Sequence, residues 1–129
     1  MSGVLLVDTD ILIDAARGSA VAVEFLDHKE DGNELAVSSV SVMELMVGCR
    51  NKRELAELER FLKRLLVLQI SEDSSALAMD LLKRYRLSHG LLIPDALIAA
   101  TALSRKISFA TKNRADFRFI AGLELVAYS

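Results

Sequence analysis

Apolar and polar positions along this chain alternate between two rhythms. Five short runs, Gly3–Val7, Leu35–Ser38, Leu66–Ile70, Ile107–Ala110 and Leu123–Ala127, are rich in leucine or β-branched residues. Gly3–Val7 is apolar throughout, the pattern of a strand covered on both faces. Between the runs, apolar residues recur at helical spacing. In Asn51–Leu66, Leu55, Leu58, Leu62, Leu65 and Leu66 form one stripe, with Lys52, Arg53, Glu57, Arg60, Lys63 and Arg64 largely off it. Leu77, Leu81, Leu82 and Tyr85 do the same within Glu72–Arg86. Such stripes predict helices that face a core. The segment Pro94–Ser104 differs, because Ala96 to Leu103 is apolar around the whole circumference and Pro94 suits the first helical position. A helix of that kind is buried on all sides, which makes its one charge, Asp95, conspicuous. Strands alternating with helices predict a mostly parallel, doubly wound α/β sheet.

Length and composition narrow the class. A chain of 129 residues is the size of one domain, expected here over 1–129, and 52% hydrophobic with 26% charged residues is a globular profile. A single cysteine, Cys49, excludes an internal disulfide and any multi-cysteine metal site, and His28 and His89 are too far apart for a helical zinc pair. Asp8 interrupts the N-terminal apolar stretch, so no secretory signal is expected, and the longest uncharged runs reach only nine residues. A cytoplasmic setting is the expectation that follows.

The chemistry rests on acids. Ligands of open parallel sheets bind beyond the carboxyl ends of the strands. Asp8 follows the first apolar run, Glu44 lies in the helix after the second, Asp95 opens the all-apolar helix and Asp116 follows Ile107–Ala110. If these four converge, their repulsion is costly, and a hard divalent cation bound through oxygen ligands removes that cost. Such an ion can activate water against a phosphodiester. Each acid also has a structural reading. Asp10 before Ile11 resembles a helix N-cap, Asp14 a first-turn charge, Ser41-Val-Met-Glu44 a capping box, Asp95 a residue favoured by its helix dipole and Asn113-Arg-Ala-Asp116 a capped turn. Asp8, ending a buried strand with no helix of its own to cap, has the weakest such reading.

These residues resemble the four motifs of PIN-domain ribonucleases: Val4-Leu-Leu-Val-Asp8-Thr-Asp-Ile-Leu-Ile-Asp14, Ser41-Val-Met-Glu44-Leu-Met-Val-Gly48, Ile93-Pro-Asp95-Ala-Leu-Ile-Ala-Ala100 and Ala110-Thr-Lys-Asn-Arg-Ala-Asp116-Phe117. The match is nearest to VapC-type toxins of toxin–antitoxin operons. The resemblance implies a three-layer α/β/α PIN-like fold around a five-stranded sheet ordered 3-2-1-4-5, with Asp8 and Asp116 on adjacent strands. It implies that Asp8, Glu44 and Asp95 are the central acids binding Mg²⁺ or Mn²⁺, with Asp116 weaker or acting through water, and that Thr111 and Asn113 support them by hydrogen bonding. The implied reaction is hydrolysis of RNA to a 5′-phosphate and a 3′-hydroxyl. Asp10 stands where the family more often has Asn or Ser, and a helix cap is its expected role. A small VapB-like antitoxin and a homodimer are the implied protein partners. Ile11, Leu12, Phe25, Leu26, Leu45 and Met46 are the candidate contact residues, with core packing as the other reading.

Charge distribution qualifies the net charge of −2. Residues 1–82 hold eight Lys and Arg against fifteen Asp and Glu, a balance of −7. Residues 83–118 hold eight against Asp95 and Asp116, a balance of +6. A basic stretch around two proposed metal ligands is a candidate RNA face, with Lys112 and Arg114 the foremost contacts; a solvated surface is the bland alternative. Two other enzyme or signalling classes fit less well. Asp8-Thr-Asp10 also matches the start of haloacid-dehalogenase-type phosphatases, but no matching lysine and paired acids follow. A receiver-like domain would need an aspartate after the third strand and a Lys-Pro pair, and the only proline is Pro94. A catalytically silent PIN domain used as a binding module is the non-enzyme alternative.

Overall fold

The computed structural model describes residues 3–128. The domain bounds expected from the sequence extend past these, and Met1, Ser2 and Ser129 lie outside the described residues. In chain order the elements are β1 (Gly3–Val7), α1 (Thr9–Ala16), α2 (Ala20–Glu30), β2 (Asn33–Ser38), α3 (Ser39–Val47), α4 (Lys52–Leu62), β3 (Leu66–Leu68), α5 (Glu72–His89), α6 (Ile93–Arg105), β4 (Ser108–Ala110), a 3₁₀ turn (Arg114–Asp116) and β5 (Leu125–Val126). All five expected strands are present. The last three are shorter than their apolar runs: Gln69-Ile70, Ile107, Leu123-Glu124 and Ala127 fall outside the strands.

The strands form one sheet in the order β3-β2-β1-β4-β5, as the resemblance implied, and every pair is parallel. Side chains alternate across it with a period of two. Leu6 of β1, Ala36 of β2 and Phe109 of β4 enter a core shared with α5 and α6. Leu5, Val7, Leu35, Val37 and Ala110 enter the opposite core, with Ile11 and Leu12 of α1, Ala22 and Leu26 of α2 and Leu58 of α4. This is the expected three-layer α/β/α arrangement. Burial of side chains such as Leu6 and Phe109, both at 0% exposure, stabilises the fold by about 1.5–3 kcal/mol each.

Helix ends agree with local chemistry, with corrections. Asn51 caps α4 rather than opening it, through a bond from the Glu54 N–H. Ser71 and Ser74 form a reciprocal capping box on α5, and Gly90 ends that helix at φ 72°, a left-handed conformation that glycine adopts without Cβ strain. Pro94 is the second residue of α6, after Ile93. Within α6, Ala96 and Ile98 through Ala102 are buried, as their apolarity predicts. Four of the expected partner-contact residues belong to the core instead: Ile11, Leu12 and Leu26 at 0–1% exposure and Leu45 at 8%. Phe25 packs edge-on against Tyr128, and Met46 alone of the six is exposed. Among the described residues no helix is long and apolar enough to cross a membrane.

The chain runs outward from β1 through β2 to β3, then returns to place β4 on the other side of β1. The carboxyl ends of β1 and β4 therefore border the crevice at the reversal of strand order, where open α/β sheets bind ligands.

Candidate active site

Asp8 is the first residue beyond β1 and is only 6% exposed. It is itself the N-cap of α1: its extended backbone and its Oδ1, which accepts from the Thr9 N–H at 2.8 Å, begin the helix. The helix starts two residues earlier than the apolar pattern suggests, so Asp8 has a cap to form and Asp10 has none. Asp8 Oδ2 accepts from the Thr111 hydroxyl at 2.7 Å. Each oxygen thus has one protein donor and keeps acceptor capacity.

Glu44 is held differently from the capping box expected of Ser41-Val-Met-Glu44. Helix α3 begins at Ser39 with Ser38 as its cap, and Ser41 lies inside the helix on the same side as Glu44. Thr9 Oγ1 is 2.7 Å from Glu44 Oε1 and 2.7 Å from Ser41 Oγ. A carboxylate only accepts, so the single Thr9 proton goes to Glu44 and the Ser41 hydroxyl donates to Thr9. Although Glu44 is exposed, this relay ties it to α1.

Asp95 lies in the first turn of α6, whose N-cap Leu92 offers no side-chain hydrogen bond. Asp116 ends the 3₁₀ turn, six positions past β4, so it is not on a strand beside Asp8 as the resemblance implied. Asn113 does not cap that turn with its side chain. Its Nδ2 donates to Asp10 Oδ2, while its own N–H donates to Thr111 Oγ1 at 3.0 Å. Lys112 donates to Asp14 Oδ2 at 2.6 Å, which holds its ammonium above the usual lysine range. Three consecutive residues after β4 therefore bind three acids of the β1–α1 segment. Arg114 is exposed and has no carboxylate partner among the described residues.

Asp8, Glu44, Asp95 and Asp116 line one cleft of about 290 Å³, together with Asp10 and Asn113. Thr9, Ile13 and Phe117 complete it. Thr111 acts on the cleft through Asp8, whereas Lys112 and Arg114 do not line it. Sequence reasoning missed Thr9 and Ser41. The signal for Ser41 was its three-residue separation from Glu44, and that for Thr9 its position next to Asp8.

No lining residue is cationic, and the electrostatics reflect it. Burial pushes the Asp8 carboxyl up from 3.8 to about 6 against the opposing bonds from Thr111 and Thr9, and the charges of Asp10 and Glu44 add to the rise. Asp95 is likewise pushed to about 6, first by burial and then by Asp8, Asp116, Glu44 and Asp10. Ionising both at neutral pH is thus opposed by the rest of the cleft.

An all-oxygen, multiply anionic donor set that lacks a counter-cation fits a hard divalent ion and not a thiophilic one. Among the described residues no three such side chains already stand at ligating spacing. Mg²⁺ commonly keeps several waters and is held by one or two carboxylates, so this donor set with water ligands suits it.

Comparison with known proteins supplies independent footing. The PIN domain family model matches residues 5–123. Ribonuclease VapC19 of Mycobacterium tuberculosis is 36% identical over 121 residues, covering 92% of this chain and 96% of that protein. Among solved structures, VapBC2 from Rickettsia felis, bound to a DNA fragment from its promoter, superposes with a TM-score of 0.84 at 25% identity, covering 98% and 99% of the two chains. A toxin–antitoxin complex from Klebsiella pneumoniae gives 0.80 at 30% identity, covering 97% and 98%.

Proposed function

The chain belongs to the PIN-domain family, and on that premise we propose that it is a metal-dependent endoribonuclease, the toxin of a VapBC-type toxin–antitoxin pair. The observation that carries this reading is the cleft lined by Asp8, Glu44, Asp95 and Asp116 with no cationic side chain among its walls. Ribonuclease VapC19 of M. tuberculosis, similar along nearly its whole length, supports RNA as the substrate.

Asp8, Glu44 and Asp95 would hold Mg²⁺ or Mn²⁺, with Asp116 contributing more weakly or through water. When bound, such an ion neutralises charge at a phosphodiester and lowers the pKa of water. The chain's own residues do the positioning. Thr111 and the Thr9 N–H hold Asp8 in one orientation, and Thr9 with Ser41 holds Glu44. Ligand orientation of this type is worth about 10–100-fold in affinity or activity. Asn113 restrains Asp10 on the cleft wall. Lys112 and Arg114, just past β4, draw the phosphate backbone toward the cleft. Water attack at phosphorus would leave a 5′-phosphate and a 3′-hydroxyl, and no protein nucleophile takes part.

A VapB-like antitoxin is the partner this reading requires, since the R. felis and K. pneumoniae structures are toxin–antitoxin complexes. A homodimer is the expected assembly of the toxin.

The reading is tested by incubating purified protein with a mixed RNA pool and Mg²⁺ or Mn²⁺, with and without EDTA, and mapping the fragment ends. Discrete fragments with 5′-phosphates that vanish in EDTA are expected. Equal cleavage in EDTA overturns the metal assignment, and intact RNA under all conditions overturns the nuclease.

A further inference from the structure

The basic stretch of residues 83–118 is unusual in how little of its charge is neutralised locally. Among the described residues, Lys112 is the only one of its eight basic side chains with a carboxylate partner. Within this stretch and at its C-terminal edge stands an aromatic array that the cleft does not use. His89, the last residue of α5, is exposed, and its ring lies flat on Phe119, with centroids 4.2 Å apart and planes 12° apart. Tyr85, one turn earlier, meets His89 edge-on at 5.9 Å and Phe119 edge-on at 5.2 Å. Phe119 is seated against the α5–α6 core, and the Tyr85 hydroxyl accepts from the Ala121 N–H at 3.3 Å. The Ser88 hydroxyl lies 2.7 Å from His89 Nδ1. The stack is thus supported from beneath and from the side, while the outer ring remains in solvent.

Its location relates it to the cleft. Phe117 lines the cleft and Phe119 is two residues on, three positions after Asp116. Three residues span at most about 11 Å. Arg118, between the two phenylalanines, is exposed. Arg86 donates to the Gly90 and Leu91 carbonyls at 3.0 and 3.3 Å, which holds a cation beside the end of α5. Covering the core does not call for the outermost ring, which stays in solvent. A rigid, solvent-facing π-surface flanked by cations without carboxylate partners is instead the combination that binds single-stranded nucleic acid, with bases stacking and phosphates drawn by charge.

We propose that His89, backed by Phe119, is a base-stacking subsite that holds an unpaired RNA nucleotide beside the cleft, with Arg118 and Arg86 attracting its backbone. This rests on the ribonuclease reading above, and the test separates the two. A short fluorescent single-stranded RNA is titrated with the intact protein in EDTA, and cleavage of the same RNA is followed with Mn²⁺. His89→Ala should weaken binding roughly tenfold and raise KM with kcat little changed, while His89→Phe, which keeps a stacking ring, should retain both. An RNA carrying 2-aminopurine should lose fluorescence on binding wild type and His89→Phe but not His89→Ala. Wild type that cleaves RNA while His89→Ala matches it in affinity, KM and quenching overturns the subsite and leaves the nuclease intact. Wild type that neither binds nor cleaves overturns both. His89→Phe should melt with wild type and His89→Ala within a few degrees of it, the loss of one ring stack; a lowered melt shared by His89→Ala and His89→Phe, with equally lowered binding, also overturns the stacking role.

Discussion

The hydroxyl of Thr111 donates to Oδ2 of Asp8 at 2.7 Å, across 103 positions of sequence. The contact follows from the sheet. β1 and β4 are parallel neighbours with Val7 opposite Ala110, so the next residue of each strand, Asp8 and Thr111, emerges at the same edge. The Asp8 N–H continues the ladder to the Ala110 carbonyl at 2.9 Å. With Thr9 holding the other oxygen, the carboxylate is oriented before any ligand arrives.

Thr111→Val removes that donor with little change of shape. Mn²⁺ affinity measured by calorimetry should fall about 10–100-fold, and Thr111→Ser should restore most of it. Unchanged affinity in a folded Val variant would show that Asp8 needs no such support.

Asp95 carries both a functional and a thermodynamic expectation. Asp95→Asn should reduce RNA cleavage at least a hundredfold in a folded protein. In the metal-free protein Asp8 and Asp95 have folded-state values of about 6 against 3.8 for the free side chain. A raised acid stabilises the fold below its unfolded pKa, and that contribution is lost as pH rises through the folded value. Melting temperature without metal should therefore drop between pH 4 and pH 7 because of this pair. Asp95→Asn should flatten the drop and melt about 5 °C higher than wild type at pH 7.5. Added Mn²⁺ should stabilise wild type by mass action and the variant much less. Identical pH profiles for the two metal-free proteins would contradict the cleft electrostatics.

The Thr9–Ser41–Glu44 relay predicts coupling. Thr9→Val and Glu44→Gln should each lower kcat/KM, Thr9→Val by about tenfold. In a double-mutant cycle the two losses should be strongly non-additive. Simple addition of the two effects would mean that Thr9 does not act through Glu44.

Arg114, exposed just past Asn113, should contribute a phosphate contact. Arg114→Gln should weaken RNA binding similarly across sequences and reduce the slope of log affinity against log salt by about 1. Fluorescence anisotropy at several salt concentrations checks this, and an unchanged slope would remove Arg114 from the RNA face.

Much of this protein could be read along the chain. The continuous apolarity of Gly3–Val7 and the all-round apolarity of Ala96–Leu103 express burial on both faces, a one-dimensional property, so strand β1 and helix α6 were legible. The acids Asp8, Glu44, Asp95 and Asp116 stood out by their places after strands or at helix starts, whereas strand order and the expected roles of those acids came through motif resemblance, because a shared pattern carries a tertiary arrangement that periodicity cannot. Where local rules were applied to the acids, they failed in an informative way. Asp10 and Ser41 have the residue types of helix caps, yet Asp8 and Ser38 do the capping. Several nearby residues satisfy the same capping chemistry, and the point where a strand ends chooses among them.

Residue order by itself determined the layers of this protein: which segments are strands, which helices are buried, and that four acids follow strands or begin helices. Tertiary structure alone decided the partners of those acids. Thr111 reaches Asp8, Thr9 reaches Glu44, and Asn113 reaches Asp10 across separations of 103, 35 and 103 positions. It also seated His89 on Phe119, from the end of α5 and the turn after β4. The physical reason is range. Burial and helix propensity are set by neighbours along the chain, whereas a hydrogen bond or a ring stack acts over a few ångströms of space, and only the parallel pairing of β1 with β4 and the packing of α5 bring those atoms within reach.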